Sequence, residues 1–200
     1  MKNTKNWSVV IITIHWLTVI CVIGLFAVGW WMTELDYYSK WYRTAPFIHK
    51  SIGITLLIVT TFRLLYKLKT GSPAPLPSHK PIEVKLAHLM HKALYALLFA
   101  VLFSGYFIST ADGRPISVFN LFEVPALPWS IDKQEDIAGD IHFFLACFLI
   151  GFASLHALAA LKHHFIEKDE TLKRMLRLSL LLNKQQLASK YMELLINQSQ

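Results

Sequence analysis

Three stretches of this chain run without Lys, Arg, Asp or Glu for long enough to set its fold class. They extend from Asn6 to Thr33, from Ala93 to Ala111 and from Ile141 to Leu161. A helix needs about 20 predominantly apolar residues to cross a hydrocarbon core. Inside lipid the backbone must satisfy its own hydrogen bonds, which a helix does. A fourth apolar block, about residues 46–66, has Lys50 near one end and Arg63 near the other. Long basic side chains near helix ends can snorkel to the headgroups, so this block can span as well, with an interfacial helix as its alternative. The expectation is an all-α integral membrane four-helix bundle, with helices at about 8–32, 46–67, 82–110 and 136–162.

Composition agrees: 54% of the 200 residues are hydrophobic, and they cluster in blocks rather than amphipathic stripes. Lys2 and Lys5 precede the first run, as in a signal peptide. That run is too long for a signal core, so it reads as a retained helix ending in an aromatic belt at Trp30 and Trp31. The two cysteines, Cys21 and Cys147, sit in the middle of apolar runs and form no CxxC or CxxCH, which excludes covalent c-type haem and Cys-based zinc sites.

A net charge of +7 invites a nucleic-acid reading, but the placement of the charge argues against it. With the amino terminus inside, only Lys40, Arg43, Lys50, Arg114 and Lys133 of the 20 Lys and Arg fall outside. That asymmetry follows the positive-inside rule and puts both termini in the cytoplasm. The linker from Gly71 to Pro81 breaks any helix, and the long outer loop from Ala111 to about Glu135 carries an Asp112-Gly113 turn signal and three prolines. The tail, residues 179–200, follows a stretch with Leu172, Met175, Leu176 and Leu180 at roughly helical spacing, and an amphipathic surface helix is one reading of it.

Histidine depth carries the chemistry. An ionisable residue inside a span is costly and points to function. His79 in the linker and His164 beyond the last span read as solvated, whereas His15, His49, His88, His91, His142, His156 and His163 lie in or at the edges of spans. His142 and His156 stand about 21 Å apart along one helix and return nearly to the same azimuth, so both face one way. A haem held by two imidazoles needs one histidine from each of two facing helices at matched depth. The outer half offers His49 and His142. In the inner half His156 is set by the stripe, and its partner is His15 or His91. His15 is preferred because Lys92 places His91 nearer the headgroups. Zinc is less suited, since the spans hold almost no Asp, Glu or Cys at these depths.

The words Ile14-His15-Trp16, Ile48-His49, Ala87-His88-Leu89-Met90-His91, Asp140-Ile141-His142, Leu155-His156-Ala157 and Leu161-Lys162-His163-His164 occur in an order that resembles the bacterial di-haem cytochrome b561 proteins over about residues 7–178. The tail beyond Ser179 is longer than the family pattern. The resemblance is closest to superoxide oxidases, superoxide:ubiquinone oxidoreductases of the bacterial inner membrane. It implies two haem b groups, with His15 and His156 ligating one iron and His49 and His142 the other. It also implies a ubiquinone pocket with His88 and His163, and more weakly Lys80, Lys85 and Trp7. Superoxide, an anion, would be helped by local charge such as Lys50, Arg43 or Arg114. Two other readings compete: an electron-carrying subunit that docks a hydrogenase-like or dehydrogenase-like redox partner, and a haem-free transporter.

Overall fold

In a computed structural model of the chain, residues 6–176 are described. The proposed tail at 179–200 lies outside them. Among the described residues four helices are long and apolar enough to cross a membrane: α1 (Val9–Met32), α2 (Thr44–Thr70), α3 (Pro81–Ser109) and α4 (Gln134–Phe165). They run up and down, so one end of the bundle carries the linker at 71–80 and the other carries the loop after α3. We call these the linker end and the hairpin end.

Local chemistry sets the helix ends. The Ser8 hydroxyl accepts from the Ile11 N–H and caps α1. Pro81 opens α3, where its missing N–H costs nothing, and the Glu83 carboxylate reaches back to the Lys80 N–H. Gly71, at φ 80°, stops α2 in a conformation that side-chain-bearing residues rarely adopt. Glu135 and Asp136 lie in the first turn of α4, and Lys162, His163 and His164 in its last, each matched to the helix dipole.

The distribution of burial inverts that of a soluble bundle. Leu17, Ile20, Ile23, Phe62, Leu89 and Phe144 all point outward, each more than half exposed. Thr18, Ser51, Thr60 and Ser104 are buried. Lipid tails are as apolar as leucine, so such helices associate through small residues and close packing. The inner cluster is Leu56, Leu98, Leu102 and Leu149, with Cys21, Val22 and Leu25 against it. The most extensive helix contacts are α3 on α4 and α1 on α2.

The loop after α3 holds more order than its prolines suggested. Strands β1 (Ile116–Val118) and β2 (Phe122–Val124) pair antiparallel, Val118 opposite Phe122. Phe119 and Asn120 turn the chain with φ of 50° and 57°, closed by the Leu121 N–H to the Val118 carbonyl. Ile116 and Val118 pack on Ile54 of α2, and the Phe119 N–H donates to the buried Ser51 hydroxyl. The hairpin is thereby pinned over the bundle end.

Candidate haem sites

A cavity of about 420 Å³ opens between all four helices in the half near the hairpin. Val22, Leu25 and Phe26 of α1, Leu56 of α2, Leu98 and Val101 of α3 and Leu149 of α4 give it apolar walls. His49 and His142 project into it from α2 and α4, with ring centroids 6.4 Å apart. Imidazole–metal bonds of about 2 Å, with about 1.2 Å from each nitrogen to its ring centre, put two rings about 6.4 Å apart when one metal lies between them.

The two imidazoles are positioned differently. His142 Nδ1 lies 3.0 Å from the Val101 carbonyl and 3.0 Å from the Ser104 hydroxyl. A carbonyl only accepts, so Nδ1 carries the proton and donates, leaving the Nε2 lone pair free. Metal-binding histidines are held in this manner. His49 Nδ1 is buried with no hydrogen-bond partner among the described residues. Two glycines make room for the rings. A Cβ at Gly29 would sit 3.2 Å from His49 Cε1, and one at Gly105 would sit 3.1 Å from His142 Cε1. An apolar slot with two opposed imidazoles and one pre-set tautomer fits a porphyrin iron.

At the linker end the histidines crowd. His156 meets His91, with centroids 5.1 Å apart and edge to face, closer than two rings sharing one ion along a line. His15 points its Nδ1 at Arg63 Nη2, 3.2 Å away. A guanidinium only donates, so the His15 proton sits on Nε2 in this arrangement. Arg63 does not snorkel outward as expected. It lies over the Tyr95 ring at 5.5 Å, with Nε buried and without a partner among the described residues. Lys67 stacks on Tyr95 and on Trp7, at 5.4 and 5.8 Å. A buried cation calls for an anion. The carboxylates of a haem's propionates have the chemistry that Arg63 and Lys67 could hold.

His88 and Lys85 line a shallow groove along α3 with Pro81, Val84, Leu89 and Lys92. His163 is not among its lining residues. It packs instead on His79, centroids 4.8 Å apart, and both rings bond the Asp169 carboxylate, at 2.8 and 3.0 Å. His79 is thus half-buried rather than solvated, because the segment after α4 folds back on the linker. Arg174 donates to the Ala74 carbonyl and the Trp16 indole donates to the Met175 carbonyl. Burial pushes the Asp169 carboxyl up, but hydrogen bonds from Thr171, His79 and His163 outweigh it and hold it down at about 2. His164, expected beyond the span, falls inside α4 with its Nδ1 buried. At the hairpin end the Asp112 carboxylate pairs with the Arg114 guanidinium, which neutralises one of the three cations expected there.

Sequence reasoning did not single out Gly29, Gly105, Ser104 or Asp169. Their roles depend on neighbours from other helices, and the spacing of apolar residues carries no trace of them.

Comparison with known proteins agrees with this architecture. The sequence model described as prokaryotic cytochrome b561 matches residues 6–178. The chain is 49% identical over 175 residues to Cytochrome b561 homolog 2 of Escherichia coli (strain K12), covering 88% of this chain and 93% of that protein. It is 33% identical over 180 residues to the Probable superoxide oxidase CybB of Yersinia pestis, covering 86% and 96%. Cytochrome b561 homolog 1 of Escherichia coli (strain K12) is 28% identical over 169 residues, covering 82% and 93%. Four apolar helices enclosing paired histidines, matched along nearly the whole chain, make it a membrane electron-transfer protein of the prokaryotic cytochrome b561 family, a family that carries haem b.

Proposed function

We propose that this protein holds two haem b groups, one in each half of the bundle, and passes single electrons from superoxide at the hairpin end to ubiquinone at the linker end. The hairpin end would face the periplasm and the linker end the cytoplasm of a bacterial inner membrane, with both termini cytoplasmic, as the positive-inside asymmetry supports. The reading rests first on the His49–His142 pair, set 6.4 Å apart across an apolar cavity. His49 and His142 would hold one haem. His156 would hold the other with His15 as first choice and His91 as the alternative.

Held by an imidazole from each of two helices, a haem would supply one-electron transfer rather than oxygen binding. The chain's own residues then do three things. Leu56, Leu98 and Leu149 keep water from the middle of the bundle. Arg63 and Lys67 would neutralise carboxylates at the linker half, and Arg63 would release His15 in doing so. Lys50 lines the cavity and offers a cation to an anionic donor, while Arg114 is already paired with Asp112. Attraction of superoxide is therefore local rather than a broad field.

The superoxide step draws support from the Yersinia pestis relative, whose name states that activity. Ubiquinone would take up electrons near His88 and His163, whose ring nitrogens can each donate or accept a hydrogen bond to its oxygens. Because the two sit in separate surroundings here, a quinone contacting both requires the Asp169 cluster to open or His88 alone to suffice.

The test is direct. Purified protein given a steady superoxide source and ubiquinone should show reduced b-haem bands and faster loss of superoxide than protein-free controls. Lys50→Glu should slow that reaction several-fold at low ionic strength, with the difference shrinking as salt is added. Unchanged superoxide decay, with reducible haem present, would remove the enzyme reading and leave the family assignment intact. A second reading, docking to a redox partner, is favoured by Tyr38 and Leu121, which stand 93% and 81% exposed at the hairpin end. It requires a stable complex on purification and no superoxide activity alone.

A further inference from the structure

The cluster at the linker end has more metal-binding chemistry than electron transfer between haems uses. His79 Nε2, His163 Nδ1 and an Asp169 carboxylate oxygen lie within 4.8 Å of one another. Glu167 adds a fourth donor, its Oε2 placed against His163 Nδ1. The side chains of His79, His163 and Asp169 are 16%, 15% and 8% exposed, so the donors are shielded but reachable. They come from two separate parts of the chain, the linker and the segment after α4.

We propose that His79, His163, Asp169 and Glu167 form a binding site for a borderline divalent cation of the zinc type. Two imidazoles and two carboxylates make a four-donor set of the N/O kind that Zn²⁺ takes in tetrahedral sites. In such a tetrahedron with bonds of about 2.0–2.1 Å, donor atoms stand about 3.3 Å apart. Here Asp169 Oδ2 is 3.0 Å from His79 Nε2 and 2.8 Å from His163 Nδ1. Opening the Asp169 contacts by a few tenths of an ångström, and moving the Glu167 carboxylate back from His163 by somewhat more, would admit the ion. Both imidazoles now donate through the very nitrogens that would ligate. On binding, those protons move to the far ring nitrogens or leave, and the cation takes their place.

The surroundings are built to hold the donors. The Thr171 N–H donates to the other Asp169 oxygen at 2.8 Å, and the Thr171 hydroxyl lies 3.1 Å from His79 Nε2. Lys162 holds the other Glu167 oxygen at 2.7 Å. Lys168, between the two acids, adopts φ 55°, a backbone conformation uncommon for residues with a side chain. A hydrogen-bonded clasp alone would need only one acid. The second histidine completes a three-donor set, and Glu167, in contact with His163, is the nearest further acid to fill the fourth position.

The proposal does not depend on superoxide or quinone chemistry, and its readout is separate from both. Haem-loaded full-length protein carrying a tag without histidines would be dialysed against ZnCl₂ and its zinc counted. One Zn²⁺ per chain should be retained, and zinc X-ray absorption should show two imidazole nitrogens at about 2.0–2.1 Å. His79→Gln and Asp169→Asn should each weaken binding at least about tenfold. His79→Gln should leave the haem spectrum unchanged, which confirms that the variant is folded. Two outcomes would overturn the site: zinc no higher in the wild-type protein than in a blank, or equal retention by wild type and His79→Gln. Either result makes the cluster a hydrogen-bonded clasp only.

Discussion

At Gly105 a methyl group would come within 3.1 Å of His142 Cε1, and at Gly29 within 3.2 Å of His49 Cε1. Each ring would have to give way toward the cavity that it lines. Gly105→Ala should tilt the His142 ring away from the Val101 carbonyl and cost about 1–3 kcal/mol through overpacking. Thermal melting with haem absorbance should show a lower midpoint and weaker haem retention than Ser104→Ala, which removes one hydroxyl and leaves Val101 as acceptor. At the other depth, His15→Ala and His91→Ala decide the ligand. The axial ligand's loss should halve the haem, and loss of its neighbour should leave the content unchanged. Haem content of the two purified variants reads this out. The sequence made the histidines legible because an imidazole in lipid is costly and stands out. Glycine roles and the inward turn of Arg63 stayed hidden, since each is set by a partner on another helix.

Among the elements, the helices were legible because lipid forbids most alternatives, and the four-helix class follows from hydropathy alone. The β1–β2 hairpin was not. Its strands are three residues each, and its turn uses Phe119-Asn120 at positive φ where Asn-Gly would be the usual signal. Asp112-Gly113 does form a turn, with the Gly113 N–H on the Thr110 carbonyl, but it ends α3 and precedes the hairpin. The hairpin hangs on Ser51, 0% exposed, which accepts the Phe119 N–H. Ser51→Ala should leave that donor unsatisfied at a cost of about 1–3 kcal/mol. Protease added to the hairpin side of vesicles should then cut the loop faster than in the parent, with little change in helix content. The clasp at the opposite end has its own pH dependence. Asp169 titrates at about 2 in the fold and at about 4 in an unfolded chain. Its stabilisation is therefore complete above about pH 4 and lost as pH falls toward about 2. The gap in urea resistance between parent and Asp169→Asn should hold at pH 5 and narrow at pH 3.

For the whole molecule, the account places two imidazole-framed sites at two levels of one bundle, each reachable from one membrane face. The hairpin half has the simpler chemistry: one pair of rings, one cavity, one pre-set tautomer. The linker half has more candidates than one haem needs, with Arg63 and Lys67 set among them over the Tyr95 ring. That imbalance explains why elimination on the sequence left only His49 and His142 in one half of the bundle, whereas in the other it gave a preference for His15 over His91. The proposed electron transfer across the bilayer would require both levels to be filled in the same chain. The most direct check is haem stoichiometry by pyridine haemochrome on purified parent protein and His49→Ala. The account predicts two haems per chain in the parent and one in the variant. One haem in the parent, or an unchanged count in His49→Ala, would contradict it.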